Sequence, residues 1–182
     1  MSLRAQPAKA PPSVAEQLAS AVLPLPADLR EGAGVMGYRT AGRLELLRPA
    51  KNRMLCLADD PAEKRFHVAC YHDSMEPFMK RGRELRAQGV TGDQVDTVRF
   101  AEVKAGKLKM PTQPAMLYSL TEPDGNFDPA TGTGPKLRPL FVTYIPFATA
   151  ESTGISTRPA VGTPWLMLPG TPKAHIMYTP TM

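Results

Sequence analysis

Aromatic side chains make up only 7% of the 182 residues, with a single tryptophan. Leu, Val, Met and Ala must therefore fill most of any interior. No apolar run approaches the ~20 residues that a membrane-spanning helix needs. Nothing in the sequence matches a prenyl, myristoyl or lipoprotein anchor signal. The motifs of common nucleotide and acyl-transfer chemistry are missing too. Gly132-Thr133-Gly134-Pro135-Lys136 has the residue types of a phosphate loop but not its spacing. Pro135 also removes a backbone donor that a phosphate would need. Gly154-Ile155-Ser156-Thr157-Arg158 lacks the second glycine that a sharp nucleophile turn requires. No His-Glu-x-x-His zinc pattern and no internal repeat occurs. The formal charge of +5 and pI near 9.4 invite a nucleic-acid reading. However, Lys and Arg are interleaved with acids, and no Arg-rich run or basic-aromatic ladder supports it. The charge pattern is that of a solvated surface with a modest excess of base.

What is present fits one globular domain over residues 13–182. A chain of this length buries roughly 70% of its unfolded surface. Hydrophobic residues are 42%, near the globular average. Of the 20 prolines, 12 follow Lys109, which disfavours long helices in the last third. Residues 1–12 read as a flexible tail. The composition of residues 4–12 resembles the start of a mature exported chain of bacterial type. A periplasmic or extracellular location is therefore expected, with the cytoplasm as the alternative. Cys56 and Cys70 fall on successive strands joined by a polar loop, and a turn near Glu63 would set them opposite each other. They can form a disulfide if their Cα atoms come close enough, and free buried thiols are the alternative.

Local signals predict the elements. Ser13 and Glu16 form a capping box ahead of a helix with Val14, Leu18 and Val22 on one face, ended by Pro24 and Pro26. Short apolar segments at 35–38, 44–47, 54–57 and 66–71 alternate with turn signals and read as a β-meander. Asp73 is the expected cap of a helix that buries Phe78, Met79, Gly82 and Leu85 and turns Arg81, Arg83 and Arg86 to water. Gly89 is its stop. A second helix begins near Thr91 or Asp93, with Val95, Val98 and Ala105 on one face, and ends at Gly106. Strands follow at 115–120, 140–145, 165–168 and 175–178. The intervening loops, 122–136 and 147–163, are long enough to suggest function. The expected fold class is α+β, an antiparallel sheet of meander plus later strands with helices packed on one face.

The best chemical constellation is His72, Glu76 and His175, with Asp73 as an alternative ligand. Two imidazoles and a carboxylate can hold a divalent metal with open positions. His67 has the opposite strand parity to His72 and faces away from it. Serine candidates for nucleophilic catalysis are Ser74, Ser152 and Ser156. The methionines Met75, Met79, Met110, Met116, Met167 and Met177 could line an adaptable pocket, although core packing accounts for them as well. The sequence thus points to a non-catalytic exported domain that binds a small molecule or a protein partner, without nucleic acid or a membrane span. A metal-binding protein or metal-dependent enzyme built on His72, Glu76 and His175 is the alternative.

Overall fold

In a computed structural model, residues 10–160 and 162–179 are described. The predicted tail therefore lies, over residues 1–9, outside the described residues. The fold is α+β. Eight strands form one mixed, mostly antiparallel sheet in the order β2-β1-β3-β4-β5-β6-β8-β7. They span Gly34–Thr40 (β1), Arg43–Arg48 (β2), Met54–Leu57 (β3), Phe66–His72 (β4), Ala115–Glu122 (β5), Arg138–Tyr144 (β6), Trp165–Met167 (β7) and His175–Tyr178 (β8). Helices are Val14–Ala21 (α1), Ala27–Arg30 (α2), Glu76–Ala87 (α3), Gln94–Lys104 (α4) and Ala150–Thr153 (α5). The chain divides into two compact units, Met1–Cys70 with Tyr118–Pro139, and Tyr71–Leu117 with Leu140–Met182.

In the first unit, α1 starts where the capping box predicts. The Ser13 hydroxyl accepts from the Glu16 amide, and the Glu16 carboxylate accepts from the Ser13 amide at 2.8 Å. The core gathers Ala21, Val22, Leu25, Ala33, Val35, Met54, Cys56, Ala58 and Cys70, with Leu18, Leu29 and Tyr118 packed against it. Burying each large aliphatic among these contributes about 1.5–3 kcal/mol. The four strands of residues 34–72 are not a simple meander. β1 pairs antiparallel with β2 but parallel with β3, in the register Val35 with Cys56. The end of β2 lies beside the start of β1, Arg48 opposite Val35. Residues 49–53 then pass that start and open β3 on its far side. The passage is close. A Cβ on Gly34 would sit 3.0 Å from the Ala50 Cβ and 3.1 Å from its nitrogen. Asn52 holds the segment, its amide donating to Gly32 O at 2.9 Å and its side chain to Leu29 O at 2.9 Å. Turn-length arguments see only the short connection and not this contact.

β3 ends at Leu57, but β1 continues to Thr40. A side chain extends the pairing. The buried Gln17 carboxamide donates to Tyr38 O at 2.7 Å and accepts from Tyr38 N at 2.8 Å, satisfying both backbone groups of one residue. Gly37 leaves room for it, since a Cβ there would lie 2.5 Å from Gln17 Oε1.

In the second unit the predicted stops hold. α3 ends in a left-handed Gly89 and α4 in a left-handed Gly106, with φ of 85° and 71°. The start of α3 differs. Residues 73–75 form a single 3-10 turn, capped by the His72 side chain rather than by Asp73. Phe78, Gly82 and Leu85 are buried as expected, but Arg81 and Arg83 are not simply solvated. Arg81 clamps Glu102 of α4 with Nε–Oε2 at 2.8 Å and Nη2–Oε1 at 2.6 Å. On α4, Val95 and Arg99 are buried, while Ala105, its C-cap, is exposed. The predicted loop 147–163 contains α5, held by reciprocal bonds between Thr149 and Ser152.

Candidate functional site

The sequence-predicted ligands each have a local partner. Glu76 accepts from the Tyr71 hydroxyl at 2.5 Å and from Arg83 Nη2 at 2.7 Å. Arg83 Nη1 also reaches the Tyr71 oxygen at 3.0 Å. Burial, reinforced by the bond to Glu76, holds the Tyr71 phenol well above its ordinary pKa. The trio is a closed structural network. His72 Nδ1 accepts from Ser74 N at 3.3 Å in its capping role. His175 Nδ1 lies 2.6 Å from Lys173 O, so that nitrogen carries the proton. Among the described residues, no group of three or more His, Cys, Asp or Glu could hold a metal ion. His72, Glu76 and His175 are therefore not gathered into a ligand set, and Asp73 does not complete one.

His72 and Ser74 do meet, at 2.7 Å between Nδ1 and Oγ, and Asp73 Oδ1 lies 3.6 Å from the same Nδ1. A catalytic relay needs the hydroxyl and the carboxylate on opposite ring nitrogens. Here both crowd one nitrogen, so the arrangement is a helix cap. Ser152 is occupied with Thr149, and Ser156 Oγ accepts from Arg158 N at 3.1 Å.

A polar cluster that sequence reading missed lies around Asp96. Its carboxylate accepts from Lys173 Nζ at 2.8 Å and pairs with Arg99 Nη2. Burial alone would raise the Asp96 pKa, but bonds from Lys173 and Arg99 outweigh it and lower it. Arg99 is 3% exposed, lies 3.8 Å over the Phe78 ring and donates to Phe78 O at 3.1 Å. Burial pushes the nearby Tyr144 phenol up to about 12 and the His175 imidazole below its usual value. These contacts tie α4 to the segment entering β8.

Each unit contains a cleft. That of the second, about 610 Å³, is lined by Val103, Leu108, Met110, Ile145 and Phe147, and that of the first, about 280 Å³, has the more aromatic lining. Phe66 and Phe127 form its floor, their rings stacked with centroids 3.7 Å apart and planes 7° from parallel. Phe66 comes from β4, and Phe127 from the 122–136 loop that the sequence marks as long. That loop is firmly built. Buried Glu122 Oε2 accepts from Asn126 N at 2.6 Å, and Asp128 accepts from Ala130 N at 2.9 Å and Thr131 Oγ1 at 2.8 Å. Gly125, at φ +74°, lets the loop meet the chain at Lys64, where a Cβ would come within 2.2 Å of the Lys64 carbonyl. The walls include Pro12, Pro61 and Pro129, with Glu16, Asp59, Glu63 and Lys64 as charged groups. Asp59 Oδ1 accepts from His67 N at 2.7 Å, which fixes one wall to β4. The Ser13 hydroxyl and amide hold the Glu16 carboxyl below the usual carboxylate range. His67, which strand parity turns away from His72, bonds Thr121 Oγ1 at 2.8 Å. No sequence signal marks Phe127 as a floor residue beyond its place in a long loop.

Cys56 and Cys70 form the expected disulfide, with Cα atoms 3.9 Å apart on neighbouring buried strands. No helix among the described residues is long and apolar enough to cross a membrane. Comparison with profiles of known families, with curated proteins and with solved structures finds no match.

Proposed function

We propose that this protein is a non-catalytic binding domain of an oxidising, exported compartment, taking a small organic molecule in the cleft over Phe66 and Phe127. The cleft is the observation that carries the reading. It joins an apolar aromatic floor to a few convergent polar groups, the usual composition of a small-molecule site. Its volume of about 280 Å³ lies just below the ~300–1,000 Å³ of drug-sized pockets, which favours a small occupant. The clusters around Tyr71 and Asp96 are paired internally, which favours binding over catalysis. The compartment rests on the disulfide, since such bonds persist where thiols are not kept reduced.

The test is a set of small organic fragments screened by amide chemical shifts and melting temperature. Binding should move the resonances of Lys64, Phe66, Gly125 and Phe127 together and raise the melting temperature. Phe127→Ala should remove the response while the protein stays folded. Fragments that bind only elsewhere, or none binding at millimolar concentration, would overturn the reading.

A further inference from the structure

We infer that the cleft over Phe66 and Phe127 selects an organic cation, an alkylated ammonium of a few carbons. This rests on the cleft being a ligand site. Two observations give the chemistry. The first is the floor. Phe66 and Phe127 give the cleft an aromatic lining, and a cation within about 6 Å of an aromatic ring is attracted by its quadrupole. A small neutral molecule gains burial there but not that attraction.

The second is the wall. The chain as a whole carries a formal charge of +5, yet three carboxylates, Glu16, Asp59 and Glu63, stand around this cleft against one ammonium, Lys64. The local sign is thus opposite to that of the whole molecule. Clefts of one sign with low-dielectric walls concentrate ions of the other. An anionic ligand would meet those carboxylates. An ammonium with an alkyl shell has a use for both features, the apolar floor and the negative wall.

The probes are choline, its uncharged carbon isostere 3,3-dimethylbutan-1-ol, and the anion 3,3-dimethylbutanoate. All have nearly the same shape, so charge is the variable. Each is titrated into the full chain and followed by amide shifts of Lys64, Phe66, Gly125 and Phe127. Choline should bind roughly tenfold tighter than the alcohol, with the carboxylate weakest. Raising sodium chloride from 50 to 500 mM should weaken choline and leave the alcohol unchanged. Glu63→Gln, at an exposed wall position, should weaken choline about threefold and spare the alcohol. Alcohol binding in the cleft as tight as choline, or carboxylate binding tighter, would overturn the cation inference and leave the binding reading standing. Choline failing where other fragments bind the cleft has the same meaning. No probe and no fragment binding there would remove both.

Discussion

Replacing Gln17 by Ala tests whether one side-chain amide completes the pairing of β1. Gln17 is only 2% exposed, and its carboxamide makes three bonds, to Pro12 O at 2.8 Å and to the Tyr38 carbonyl and amide at 2.7 and 2.8 Å. Pro12 is exposed, so water can replace its partner. The two Tyr38 groups are less accessible, and each left unpaired costs about 1–3 kcal/mol. Alanine regains roughly 1.5 kcal/mol of side-chain entropy and a few tenths in helix propensity, about 0.3 kcal/mol. The net loss should be about 2 kcal/mol, or a fall in melting temperature of roughly 4–8 °C for a chain of this size. Urea unfolding followed by far-UV circular dichroism reads the free energy. Amide hydrogen exchange at Tyr38 should accelerate, which separates loss of this bond from general weakening. Gln17→Glu is a sharper companion. It keeps an acceptor for Tyr38 N but sets a carboxylate oxygen against two carbonyl oxygens, so it should be at least as harmful at pH 7 and partly relieved in acid. A Gln17→Ala protein within about 0.5 kcal/mol of the parent, or a fully stable Gln17→Glu at neutral pH, would refute the reasoning.

Reducing the Cys56–Cys70 bond releases a loop of sequence separation 14 and should cost about 3 kcal/mol by the chain-entropy argument. Thermal melts with and without a phosphine reductant under denaturing pre-treatment measure it. Burial lowers the pKa values of His67 and His175 from the ordinary 6.5. The unfolded chain therefore binds more protons just below that value, so stability present above pH 6.5 should fall as the solution is acidified through the folded values. Melting temperatures from pH 8 to 5.5 should decline, and the decline should flatten in the double variant His67→Asn, His175→Asn. An equal slope in that variant would assign the effect elsewhere. Protein purified without chelator should carry no stoichiometric metal and melt unchanged in EDTA, because His72, Glu76 and His175 are each bonded locally. Stoichiometric metal lost on His175→Ala would reverse that conclusion.

Punctuation was the most legible part of the sequence. Ser13 with Glu16, Gly89 and Gly106 mark helix ends through the chain's own chemistry, and the structure places them there. The cysteine pairing was partly legible: a short polar loop can set two strands side by side, but spacing left free thiols open, and the structure closes the bond. The parallel pairing of β1 with β3 was not, because it depends on Gly34 admitting Ala50, a contact that spacing does not encode. Arg99 defeats the amphipathic rule in a similar way. A guanidinium over a phenyl ring with a carboxylate partner can be buried, but a hydropathy pattern reads it as surface. The candidate site divides along the same line. The histidines and acids drew attention as residue types, yet each is engaged locally: His72 as a helix cap, Glu76 by Tyr71 and Arg83, and His175 by the Lys173 carbonyl. The cleft depends on Phe127, which reaches Phe66 only through a folded loop.

The division of the first unit into Met1–Cys70 and Tyr118–Pro139 has a consequence in time. A chain made or threaded from its amino end delivers β1 to β4 long before the segment that carries Phe127 and the end of β5. For those intervening 47 residues, Tyr71 to Leu117, the first unit waits incomplete. The crosslink between Cys56 and Cys70 can already exist at that stage, because both cysteines have emerged. It would hold β3 and β4 together as a half-built template until residues 118–139 arrive to finish the first unit and, with Phe127, the cleft floor.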